Sequence, residues 1–153
     1  LRLSRAEMPI IFPEDYNFKV GKGVKLREGK DVSIIATGLM VHKALEAADM
    51  LSQRGIQARV VNMHTIKPID AELIIDCAKS TGAIVVAEEH GIFGGLYGAV
   101  SEVLARNCPT VVANVGIEDT FTESGDYEQL LEKYGLTSGR IIEKVEEVLE
   151  KLK

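Results

Sequence analysis

The chain has 153 residues, 46% hydrophobic and 27% charged, a composition that suits one globular domain with a single buried core. Its 23 acids and 18 bases are interspersed and leave a formal charge of −5, so no field of one sign offers itself to a nucleic acid or an anionic membrane. No run approaches the roughly 18 apolar residues of a bilayer span, no charged leader precedes a cleavage site, and Cys77 and Cys108 lack CxxC spacing; together these point to a cytoplasmic protein with two inert core thiols.

The first 30 residues differ from the rest. Leu1 is no initiator, and Leu1-Arg2-Leu3 reads like the middle of a strand, so the amino end is expected to be a truncation. Pro9, Phe12, Pro13, Tyr16 and Phe18, followed by Gly21, Gly23 and Gly29, mark an irregular connector. A strand over 22–27 would add an antiparallel edge. From Asp31 onward, short apolar runs alternate with amphipathic stretches, the pattern of βαβ units. The runs 32–36, 58–62, 83–87 and 110–115 are almost free of charge, as strands covered on both faces must be.

Between them, Val41, Ala44, Leu45, Ala48 and Leu51 recur at offsets of three and four, a helical stripe stopped by Gly55. Asp70 caps a second helix that carries Leu73, Ile74, Cys77 and Ala78, and Gly95 opens a third with Leu96, Val100, Val103 and Leu104. The tail holds a short helix over 127–134 and a longer one with Ile141, Val145, Val148, Leu149 and Leu152 opposite a solvated face of glutamates. The expected fold is α/β: a three-layer α/β/α sandwich around a mainly parallel, mixed sheet of five strands, with right-handed crossovers.

Ligands of open α/β sheets bind beyond the carboxyl ends of the strands, which directs attention to the turns after each run. The turn from Asn62 to Asp70 offers His64 and Lys67, with Pro68 near a helix start, and reads as a rigid, exposed turn. The turn from Glu88 to Gly98 gathers two acids, His90 and several glycines where a strand meets a helix. Free amides there could hold an anion, with His90, Gly94 and Gly95 as the candidate anion or interface site. The glycine spacing fits neither a dinucleotide fingerprint nor a P-loop, and adjacent strand residues cannot converge on one metal ion. Glu89 and His90 could act as an acid–base pair, although a structural cluster at a domain or subunit contact is the simpler expectation. No GxSxG elbow is present. Arg2 and Arg5 place guanidinium groups, good partners for phosphate, on an extended segment.

Several segments, in order, resemble the transketolase family. Residues 2–9, Arg2-Leu3-Ser4-Arg5-Ala6-Glu7-Met8-Pro9, look like the end of its pyrimidine-binding domain, where the pattern is close to LSRQ-x-x-P. Asp31 to Gly38, Thr65 to Asp70, Glu88-Glu89-His90 with Gly94 to Gly98, and the tail Phe121 to Gly125 with Tyr134-Gly135-Leu136 are similar to its carboxy-terminal domain. The implied division is residues 1–20 as the end of the pyrimidine-binding domain and linker, and residues 21–153 as the carboxy-terminal domain.

The resemblance implies a dimeric enzyme of the pentose phosphate pathway that moves a two-carbon ketol unit between sugar phosphates, using thiamine diphosphate and magnesium. The cofactor-activating acid, the metal ligands and the diphosphate loop belong to upstream domains, so no cofactor or metal is expected in this chain, whose role would be structural and dimer-supporting. Arg5 stands at the family's phosphate-contacting arginine and is the one substrate-binding residue carried over; Ala6 departs from the usual glutamine. Two related readings are a deoxyxylulose-phosphate synthase carboxy-terminal domain and a partner-docking module like that of 2-oxoacid dehydrogenase beta subunits. Leu3-Ser4-Arg5-Ala6, and a tail without a proline-rich end, favour transketolase over both.

Overall fold

A computed structural model of the protein describes residues 7–153. Along the chain run β1 (Val24–Arg27), β2 (Val32–Ala36), α1 (Met40–Gln53), β3 (Ala58–Asn62), α2 (Ala71–Thr81), β4 (Ala83–Gly91), α3 (Leu96–Asn107), β5 (Val111–Ile117), α4 (Tyr127–Lys133) and α5 (Ser138–Glu150). The strands form one sheet in the order β1-β3-β2-β4-β5. Strands β2 to β5 pair in parallel, and β1 lies antiparallel along β3, closing one edge as the sequence suggested.

The pleat sorts the strand residues into two cores. Val32, Ile34, Val60, Val85 and Val115 face one side, where α1 and α5 cover them. Ile35, Val61, Ile84 and Val86 face the other, beneath α2 and α3. Strands β2 and β3 are buried throughout, which accounts for their apolar sequences, and the one charge among their residues, Arg59, is paired with Glu28 and Asp76. The three layers and the mixed five-stranded sheet match the expected fold.

Chain reversals follow local chemistry. Helix α1 ends at Gly55, which adopts φ +81°, a conformation that L side chains rarely take. Asp70 caps α2 by accepting the Leu73 N–H at 3.3 Å, while Asp126 and Thr137 cap α4 and α5 in the same way. Pro68 sits two residues before the Asp70 cap, outside the helix whose first turn it was expected to enter.

Two further boundaries differ from expectation. Strand β4 runs on through Glu88, Glu89 and His90 to Gly91, so these three residues are strand and not turn. Strand β5 likewise extends to Ile117, and the longer pairing of β4 with β5 holds the extension in place, with a register shift between Ala87 and Gly91. Among the described residues, no helix is long and apolar enough to cross a membrane.

Candidate functional site

Alternation along β4 decides where its polar end points. Glu88 shares the parity of Ile84 and Val86 and therefore faces α3, whereas Glu89 continues the row of Val85 and Ala87 toward the opposite face. There its carboxylate accepts a hydrogen bond from the Tyr127 hydroxyl at 3.3 Å, tying β4 to α4. Glu89 and His90 thus project to different sides, and the acid–base pairing of these two residues is not realised.

Glu88 is 2% exposed, yet it is fully engaged. Its two carboxylate oxygens accept the Leu96 N–H at 2.7 Å and the Tyr97 N–H at 2.8 Å, the first amides of α3. A buried carboxylate on a helix start gains from charge-assisted bonds and from the helix dipole together. Gly95 is what allows the approach, because a Cβ at that position would collide with the Glu88 carboxylate.

His90 lies on the same side of β4. Its Nδ1 is 4.0 Å from Glu88 Oε2 and 2.7 Å from the Gly91 carbonyl oxygen, with the imidazole about half exposed. The structure therefore brings His90 and Gly95 together around a residue that sequence reasoning placed in the same turn but gave no role. The signal for Glu88 was present in its parity with Ile84 and Val86, combined with a glycine pair just before the helix. Gly94, at φ +75°, and Gly95 also line an open groove between α3 and the loop before α2, beside Ile66, Lys67, Gly98 and Arg106.

Two of the amides at the α3 start are not free for an outside anion. The anion at the α3 start is the protein's own Glu88, which leaves Leu96 and Tyr97 no N–H to offer. The cofactor implied by the resemblance also finds no fitting donor set. Among the described residues no three His, Cys, Asp or Glu side chains are grouped to hold a metal ion, and the Leu96 and Tyr97 amides at the α3 start are already bonded to Glu88. Arg5 lies outside the described residues, as does Arg2.

Of the two cysteines, Cys77 is buried, and desolvation pushes its thiol above the usual range despite the nearby Ser33 and Arg59. That is the behaviour of a core hydrophobe and not of a nucleophile.

Comparison with known proteins agrees with this architecture. Residues 21–141 match the family described as transketolase, C-terminal domain. Over 151 residues the chain is 45% identical to the 6-deoxy-6-sulfo-D-fructose transketolase subunit of Clostridium sp. (strain MSTE9), covering 99% of this chain and 47% of that protein. It is also 45% identical over 123 residues to the 1-deoxy-D-xylulose-5-phosphate synthase of Heliobacterium modesticaldum (strain ATCC 51547 / Ice1), covering 80% of this chain and 19% of that one. Among solved structures, a split gene transketolase described as an inactive beta4 tetramer superposes with a TM-score of 0.92 at 50% identity, over 95% of this chain and 48% of its own. The chain spans about half the length of the transketolase relatives it matches, and on this evidence it belongs to the transketolase C-terminal domain family.

Proposed function

We propose that this chain is the carboxy-terminal part of a split, thiamine-diphosphate-dependent ketol transferase acting on sugar phosphates, and that its own contribution is scaffolding. In this reading, residues 1–20 end the upstream pyrimidine-binding domain, and Arg5 contacts the phosphate of the sugar. Cofactor and magnesium are held by the upstream portion or a partner subunit. His90, Gly94 and Gly95 stand at a contact with a neighbouring domain in a cytoplasmic homodimer of the pentose phosphate pathway, and the isolated chain is inactive.

The observation that carries the scaffolding role is the engagement of Glu88. At the strand ends where an open α/β sheet ordinarily takes its ligand, the helix amides are bonded to a side chain of the domain itself. The transketolase reading is favoured over deoxyxylulose-phosphate synthase by coverage. The transketolase subunit aligns over 99% of the chain, connector included, and the synthase over 80%.

The test is reconstitution. The chain is combined with the separately produced upstream portion, and ketol transfer from a ketose phosphate to an aldose phosphate is measured with thiamine diphosphate and magnesium. Activity that requires both parts is expected. Activity of the upstream portion that is unchanged by this chain overturns the proposal.

A further inference from the structure

The open groove between α3 and the loop before α2 has a volume of about 580 Å³, and no described residue fills it. Its floor is the backbone around the start of α3, bare at Gly94, Gly95 and Gly98 and covered by a single methyl group at Ala99. Two of these glycines have reasons inside the chain. Gly94 takes φ +75°, and a Cβ on Gly95 would collide with the Glu88 carboxylate. Gly98 differs, because it sits inside α3 and a Cβ there meets nothing within 4 Å among the described residues. A helix interior favours alanine over glycine, and what the glycine provides here is room for a neighbouring backbone.

The walls are apolar, and the charges stand at fixed places. Ile66, 40% exposed, and Ile69 line the loop side, and Val103 lines the helix side. Lys67 follows β3 and Gly94 follows β4, two strands of the parallel set, so both stand at the same end of the groove. Glu102 stands one turn beyond Gly98 on the same face of α3, toward the other end. The side chains of Lys67 and Glu102 are exposed, and neither has a hydrogen bond or ion pair among the described residues.

We infer that the groove takes the α3 helix of a second copy of this chain, laid antiparallel about a two-fold axis near Gly98 and Ala99. The inference gives a surface to the homodimer proposed above and rests on that reading. A two-fold contact requires a face that is its own complement. Here an acid lies about 4.5 Å along the helix on one side of Ala99, and a lysine stands beside the helix start on the other. Turning the helix end for end brings Glu102 of each copy to Lys67 of the other, while Gly98 and Ala99 let the two helices approach to the about 8–10 Å of packed pairs. Arg106, a turn beyond Glu102, then passes the start of the other helix toward Phe93, which is 70% exposed. A second copy matches both charges by symmetry, whereas a helix from an unrelated protein would need to supply them separately.

The experiment is sedimentation equilibrium on the 153-residue chain, unmutated and as Glu102→Lys and Lys67→Glu, each variant alone and the two in an equimolar mixture. Unfolding midpoints of the dilute monomers should match, since both positions are exposed. The unmutated chain is expected to form a dimer. Each variant alone reverses both symmetric contacts and should raise the dimer Kd about 10- to 100-fold; the mixture regains both contacts in a heterodimer and should return Kd to within about threefold. A dimer indifferent to both variants holds its second copy elsewhere, which overturns the inference and leaves the homodimer reading standing. Weakening by each variant with no recovery in the mixture shows that the two residues do not meet across the axis, and overturns it too. A chain monomeric at every concentration also overturns it, and the reconstituted enzyme then separates the two readings. A dimeric complex keeps the homodimer and gives the groove to another segment, and a monomeric complex ends both.

Discussion

Glu88 Oε2 accepts the Leu96 N–H at 2.7 Å, joining the end of β4 to the first turn of α3 across eight residues of chain. With the Tyr97 N–H at 2.8 Å on the other oxygen, one carboxylate satisfies two of the amides that a helix start leaves open. Glu88→Gln keeps the shape but removes the charge and turns an amide donor toward one of these N–H groups. We expect a loss of about 2–3 kcal/mol in denaturant unfolding at neutral pH, the range for buried bonds to a charged group. A loss below about 0.5 kcal/mol would show that the pair contributes no more than surface contacts do.

The two glycines flanking this junction should respond with opposite signs. A Cβ at Gly95 would displace the Glu88 carboxylate, whereas one at Gly98 meets nothing within 4 Å. Gly98 lies inside α3, where alanine is favoured over glycine by about 0.5–1 kcal/mol. Gly98→Ala should therefore raise the unfolding midpoint and Gly95→Ala should lower it. Because Gly95→Ala and Glu88→Gln disrupt one contact, their double mutant should cost less than the sum of the single changes. Additive costs in that cycle would refute the shared contact.

The fold was legible because its elements repeat simple patterns. Val32 to Ala36 and Ala58 to Asn62 are short apolar runs with β-branched residues and a single charge, Arg59, and the stripe from Val41 to Leu51 has helical spacing, so strand and helix assignments needed no tertiary information. The end of β4 was harder to read. Glu88, Glu89 and His90 look like a polar turn, and only pairing with a neighbouring strand makes them extended. The amides at the α3 start were visible as an anion site, but the anion was not, since Glu88 reaches them only once β4 and α3 are packed. The attachment of residues 19–23 to the loop before α2 was hidden for a related reason. His64, Thr65 and Asp70 act on residues 45, 44 and 47 positions away in sequence, a proximity created by the β1–β3 pairing.

Glu147 in α5 should make one part of the stability sensitive to acid. Lys144 and Lys151 bond the Glu147 carboxylate from either side, first Lys144 and then Lys151, and hold its pKa down from 4.5 to about 2. A carboxylate depressed in the folded state adds stability that is fully present above its unfolded value and is lost as pH falls through the folded one. The contribution of Glu147 should thus decline between pH 4.5 and about 2. Glu147→Gln should flatten that part of the stability profile. Since Glu147 and Lys151 are open to solvent and Lys144 is partly so, added salt should shrink the difference between the two proteins. Parallel acid limbs for both proteins at low ionic strength would rule the effect out.

Arg5 supplies the functional prediction. A guanidinium that grips a phosphate remote from the reacting carbons binds substrate and transition state alike, so its removal should appear mainly in KM. In the reconstituted enzyme, Arg5→Ala should raise KM for phosphorylated donors by about 10- to 100-fold, the range of a lost charge-assisted pair, with a much smaller change in kcat. Arg5→Lys should recover part of the loss, because a point charge replaces a two-pronged donor. Steady-state kinetics with a ketose phosphate and its unphosphorylated counterpart make the comparison. If the unmutated enzyme binds the two sugars equally well, no residue of this chain is reading the phosphate, and Arg5 loses its place in the site.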